Sequence, residues 1–142
     1  MNADARQSLH DVHTATQDVL KGYRTMLERA EPEIRPTVQA LTDLHHRHAQ
    51  EQEREIHRLG ESAGDDTSFQ GTVNKAAVIV RDWVTGLDRD ALSAVRQGEE
   101  ALRDRYVEAM DEMGAGATGT TRSLLTQQHA DICNQIAKLP KS

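Results

Sequence analysis

Apolar residues recur every three or four positions along most of this chain, the spacing that gathers them onto one face of an α-helix. Leu9, Val12, Val19, Leu20, Tyr23, Met26 and Leu27 form the first such stripe and predict a helix over about 4–30. Pro32 and Pro36 interrupt the pattern, and Pro36 suits the first turn of a second helix, where its missing N–H is harmless. That helix is expected over 35–59, with Gly60 as its stop. Its inner face reads Val38, Leu41, Leu44, His45, His48, Glu51 or Gln52, Ile56 and Leu59, so the middle of the stripe is polar.

Residues 61–70 carry Gly64, Asp65, Asp66, Thr67 and Ser68, a loop composition that also offers helix N-caps. Val73, Ala76, Ala77, Val80, Val84 and Leu87 then share a face, which favours a short helix over 70–86 with Trp83 beside it. Asp88 suits the N-cap of a helix over 89–113, whose stripe of Leu92, Val95, Glu99, Leu102, Tyr106, Met110 and Met113 is interrupted by one carboxylate. Gly114 to Gly119 is a linker rather than a phosphate loop, lacking both a preceding strand and a Gly-Lys-Ser/Thr ending. A last helix over 120–139 places Leu125, Gln128 or His129, Ile132, Ile136 and Leu139 on one face before Pro140.

Four long helices paired by short loops make an antiparallel bundle, while a connection of about 28 residues between the second and third can return the chain along the bundle. The expected fold is all-α: a ferritin-like four-helix bundle with a long helical crossover, forming a single domain over 1–142. Composition agrees, at 28% charged and 3% aromatic residues with only three prolines. The net charge of −6 argues against nucleic acid as a partner, because phosphate binding relies on Lys and Arg. No apolar run approaches the roughly 20 residues that span a bilayer, and Met1 to Gln7 lack the features of a signal peptide. A cytoplasmic protein with no membrane partner is expected. The single cysteine, Cys133, reads as a packing residue.

Short motifs carry a resemblance to a known family. Asp18 to Tyr23 (DVLKGY), Leu59-Gly60, Arg81-Asp82-Trp83, Gly98-Glu99-Glu100 through Tyr106, and His129 together resemble a bacterial ferritin-like four-helix-bundle family that is a domain of unknown function. The likeness covers nearly the whole chain, with a crossover a few residues shorter, and implies a ferritin-like bundle with a loose link to stress responses. A di-iron site in such a bundle takes a Glu from each of two helices and a Glu-x-x-His from each of the other two. Only Glu99, His48 and His129 answer to those six ligands; the first helix offers Thr16 and Gln17, the second His45-x-x-His48, the last Thr126-x-x-His129. A complete di-iron oxidase or ferroxidase centre is therefore not expected.

Six of the seven histidines lie in the first 57 residues, so a smaller site is a real alternative. Its metal ligands would be His48, Glu99 and His129, with His45, Glu51 and His13 as substitutes, holding a single transition metal such as Fe or Zn. Counting from the turn near Glu31 places Thr16 and His48 at similar heights. The competing reading has these groups hydrogen-bonding one another or water near the bundle's end, as buried polar groups must. His10, His46 and His57 fall off the stripes, and Glu53, Arg54, Glu55 and Arg58 read as a charged outer face. Scattered serines give no nucleophile arrangement. The first expectation is thus a non-catalytic structural or interaction protein, homodimeric and with an unknown protein partner. A metal-binding protein with a degenerate ferritin-like site is the alternative.

Overall fold

The computed structural model describes residues 3–29, 32–60, 91–113 and 119–139. Four helices hold nearly all of these residues: α1 (Ala3–Leu27), α2 (Arg35–Arg58), α3 (Ala91–Met113) and α4 (Gly119–Lys138). No strand occurs among the described residues. The expected crossover helix at 70–86 with Trp83, the turn at Glu31 and the linker from Gly114 to Thr118 lie outside them.

Cross-helix contacts reveal the helix directions. Residue numbers fall along α3 as they rise along α1, from Ser8 with Glu112 to Tyr23 with Glu99. They fall likewise along α2, from His13 with Gln52 to Tyr23 with His45. On α4, Gln128 meets Tyr106 and Ile136 meets Arg96, so α4 is antiparallel to α3. Hence α2 and α3 run parallel, as a long connection between them requires. α1 packs on both α2 and α3, and α4 packs on α3 and, less extensively, on α2.

The helix ends follow from local chemistry. The last carbonyls of a helix lack intrahelical partners, and arginines reach them here. Arg35 Nη1 donates to Leu27 O at 2.9 Å, and Arg96 Nη1 donates to Ile136 O at 2.8 Å and Leu139 O at 3.1 Å. These bonds tie the end of α1 to the start of α2, and α4 to α3. α2 instead stops at Gly60, whose φ of 83° is disfavoured for any residue with a Cβ and whose N–H donates to His57 O.

Leu9, Val12, Ile56, Met113 and Leu125 fill one end of the bundle, and Met26, Ile34, Val38, Val95 and Ile136 the other, all essentially inaccessible. Each such side chain contributes about 1.5–3 kcal/mol of hydrophobic stabilisation. Ile34 precedes α2 yet is wholly buried. Tyr23 of α1 lies against His45 of α2, which sets α2 about one turn from the level that counting from Glu31 gives. In consequence Thr16 meets Gln52 rather than lying level with His48. One element of the charged outer face is also corrected: Glu55 is buried at 6% exposure, gripped by Arg58 through 2.8 and 2.7 Å bonds and accepting from Thr121 of α4.

Candidate functional site in the polar core

Between the two apolar ends lie two buried polar layers separated by about two helical turns. The first is neutral and takes one residue from each helix: Thr16, Gln52, Tyr106 and Gln128, all fully buried. The Gln52 amide lies 2.8 Å from the Tyr106 hydroxyl, 2.9 Å from Gln128 Oε1 and 3.2 Å from Thr16 Oγ1. Tyr106 in turn donates to Gln128 Oε1 at 2.9 Å, and Thr16 donates back to Val12 O at 2.8 Å. Gln128 Nε2 donates to Glu51 Oε1 at 3.0 Å and to His48 O at 3.2 Å, while His13 Nδ1 reaches Gln52 Oε1 at 3.1 Å. Every side chain of the quartet is thus partnered, the condition under which a buried polar network is stable. Burial pushes the Tyr106 hydroxyl pKa well above its ordinary value, so it stays protonated.

The second layer carries charge. Glu99 Oε2, fully buried, accepts from the Tyr23 hydroxyl at 2.6 Å and from His45 Nε2 at 2.7 Å. Burial, and then the neighbouring Glu99 carboxylate, raises the Tyr23 pKa far above 10, so Tyr23 serves as a donor rather than a phenolate. One turn from His45 on the same face, fully buried His48 places Nε2 3.1 Å from Oδ2 of partly exposed Asp131 on α4. Burial lowers the His48 pKa, outweighing the Asp131 hydrogen bond, and keeps the ring neutral. The rings of His45 and His48 meet edge to face, with centroids 6.0 Å apart.

This layer is incompletely satisfied. His45 Nδ1, His48 Nδ1 and Glu99 Oε1 are buried without a hydrogen-bond partner. Carboxylate oxygens accept, so each imidazole bonded through Nε2 carries its proton there, and the neutral ring has its lone pair on Nδ1.

The residues singled out from sequence separate accordingly. His45 and Glu99 are in contact, and His48 is their neighbour. His13 and Glu51 belong to the neutral layer instead. His129 is not brought to Glu99: it lies at the half-buried edge of α4, 3.8–3.9 Å from Cys133 Sγ. Where the stripes left two choices, the core takes Gln52 over Glu51 and Gln128 over His129. Asp131 and Gln128 were not anticipated as site residues, although their i, i+3 spacing on α4 mirrors that of His45 and His48 on α2. Among the described residues, no group of three or more His, Cys, Asp and Glu side chains is disposed to hold a metal ion.

An antiparallel four-helix bundle with parallel second and third helices and polar residues converging at its centre is a ferritin-like bundle. The chain belongs to the family described as a domain of unknown function, DUF2383, which matches residues 4–112. Two solved structures share the fold. One, a conserved hypothetical protein from Mycobacterium tuberculosis, is 12% identical, with 97% of this chain and 96% of that one covered and a TM-score of 0.72. The other, described as ferritin-like, diiron-carboxylate proteins from Bacillus anthracis str. Ames, is 16% identical, with the same coverage and a TM-score of 0.72. At such identity the likeness establishes the fold alone. Among curated proteins, none matches the chain.

The residues present do not fit a di-iron carboxylate centre. Where all four helices converge, the side chains are an alcohol, a phenol and two amides bonded to one another, and the single carboxylate beside them, Glu51, cannot balance two metal ions. In the second layer α1 supplies Tyr23 and α2 supplies a His-x-x-His, leaving Glu99 as the one fully buried carboxylate among the described residues. No described helix is long and apolar enough to cross a membrane.

Proposed function

We infer that this protein is a non-catalytic ferritin-like bundle, a structural or interaction protein in which the polar centre has been turned from metal chemistry to holding four helices in register. The observation that carries this reading is the quartet of Thr16, Gln52, Tyr106 and Gln128, whose hydrogen bonds are satisfied by one another and by their neighbours. A satisfied neutral network offers neither a nucleophile nor a base poised near neutral pH. Iron-dependent oxygen consumption tests the reading: Fe2+ added aerobically should oxidise no faster than in buffer. Saturable oxidation at two irons per chain would overturn it. Homodimerisation belongs to the same reading, and light scattering checks it.

A second reading, a metal-binding protein with a degenerate site, is favoured by one observation. The charged layer leaves three buried donor atoms unpartnered, whereas the neutral layer leaves none. Total metal content of protein purified without a His tag, then challenged with Fe2+ and Zn2+, tests it. Uptake of about one equivalent is expected, and none would sink it.

A further inference from the structure

We propose that the neutral layer is a directional hydrogen-bond relay, which couples the ring of His13 on α1 to the α2–α4 edge of the bundle and holds that ring as its Nδ1–H tautomer. The inference rests on the reading of this layer as the element that keeps the helices in register, and adds a direction to it.

The direction starts from groups that can only accept. The terminal amide of Gln128 faces the His48 carbonyl at 3.2 Å and Glu51 Oε1 at 3.0 Å. A backbone carbonyl and a carboxylate have no proton to give, so Gln128 must present its NH2 there and turn its oxygen inward. That oxygen meets the Gln52 amide at 2.9 Å, where a second carbonyl oxygen would be repelled, so Gln52 presents its own NH2 in turn. The Gln52 oxygen is thereby directed at His13 Nδ1, 3.1 Å away. An acceptor facing a ring nitrogen demands a proton on it, and the neutral ring then keeps its lone pair on Nε2. Gln17 Nε2, a donor, approaches that second nitrogen at 3.4 Å.

The other members follow this direction rather than set it. The hydroxyls of Tyr106 and Thr16, 2.8 and 3.2 Å from the Gln52 amide, each carry a proton and lone pairs and can turn to suit either orientation of it. Reversing Gln52 alone would set oxygen against oxygen at Gln128 and N–H against N–H at His13, so the members turn together. His13 is almost wholly buried, at 6% exposure, and its tautomer is chosen by these partners rather than by water. α1 and α4 lie diagonally in the bundle, with α1 packed on α2 and α3 and α4 on the same two helices. A change at the α2–α4 edge is therefore felt at a histidine on the far helix, which makes the layer a coupling device as well as a brace.

The test reads the tautomer directly, from long-range 1H–15N correlations of the imidazole nitrogens in the full chain, at about pH 8.5, well above the ordinary histidine pKa of about 6.5. In wild type His13 should be Nδ1–H. Gln128→Leu takes away the inward-facing oxygen while roughly keeping volume; it should let Gln52 adopt both orientations and bring in a measurable Nε2–H fraction at a ring on the diagonal helix. Gln17→Ala, at a half-buried position, should leave the Nδ1–H form intact. A wild-type His13 in the Nε2–H form would overturn the relay, a result that needs no variant. So would an unchanged ring in folded Gln128→Leu, or loss of the Nδ1–H form in Gln17→Ala, since either would make the tautomer a local matter. The wild-type and Gln17→Ala results decide the proposal even if Gln128→Leu fails to fold. The non-catalytic reading is tested separately, by the iron assay.

Discussion

The two polar layers of this bundle are equally buried and are built from the same four helices, yet they end in opposite states. In the neutral layer, Gln52 and Gln128 supply both donors and acceptors, so amides and hydroxyls close a network among themselves. In the charged layer, Glu99 only accepts, and each imidazole uses its one N–H on a carboxylate, which strands the second nitrogen of both rings. The difference is one of inventory: an amide can be partnered on both sides, whereas a carboxylate–histidine pair satisfies one edge of each group. A closed network holds helices in register.

The sharpest way to break the comparison is to remove Glu99. Glu99→Ala strands the Tyr23 hydroxyl and His45 Nε2 in the buried core. Each of those two buried donors left without its acceptor costs about 1–3 kcal/mol, which urea unfolding would read directly. Glu99→Gln keeps an acceptor for both donors and should lose distinctly less. Equal losses for the two variants would show that the carboxylate's volume, not its hydrogen bonding, matters to the fold.

In the neutral layer, Gln52→Leu preserves approximate volume but removes the partner of Tyr106, Gln128 and His13. Leaving buried groups unsatisfied costs about 1–3 kcal/mol, so the loss should be smaller than for Glu99→Ala and accompanied by no change in metal uptake. A variant as stable as wild type would mean that the quartet contributes nothing to stability.

The layers should also separate by pH. Burial holds the folded His48 pKa below its ordinary 6.5. Above that value neither state binds the proton. Below it the unfolded chain takes it up first, so stability falls as the pH drops from about 6.5 toward the lower folded value. One proton limits the slope to about 1.4 kcal/mol per pH unit. His48→Gln should flatten the curve in this window and leave the fall at lower pH. There Glu55, held below its ordinary pKa by Arg58, loses its stabilising contribution as it protonates. A wild-type curve already flat from pH 6.5 to 5 would show that His48 is not kept neutral.

Much of the fold was legible because apolar spacing is a property of the sequence itself. The stripes of Val12, Val19 and Tyr23, of Val38, Leu41 and Ile56, and of Val95, Leu102 and Tyr106 lie in the core as their periods require. Gly60 ends α2, and the parallel course of α2 and α3 follows from the long connection. The site was harder to read for two reasons. Adjacent residues on a helix differ by about 100° of rotation, so a stripe cannot choose between Glu51 and Gln52, or between Gln128 and His129, when both members are polar. The structure chose the amide each time. The height of one helix against another depends on turn geometry, and α2 sits about a turn from its expected level, with Thr16 meeting Gln52 rather than His48. Asp131 had no signal of its own, since a half-exposed carboxylate gains meaning only from the His48 ring beside it.

The smallest expected effect sharpens that last point. His129 is the residue that spacing alone nominated on α4, but it lies outside both polar layers, beside Cys133. His129→Gln should therefore change stability by no more than about 0.5 kcal/mol, as for surface substitutions away from special features. Asp131→Asn, two residues further along the same helix, removes the carboxylate that accepts from buried His48 and should cost about 1–3 kcal/mol. Measured side by side, the two variants separate a site defined by histidine content from one defined by hydrogen-bond orientation. If His129→Gln proved the more damaging, α4 would have to be rotated by roughly half a turn toward Glu99, and the pairing of His48 with Asp131 would give way to a site centred on His129.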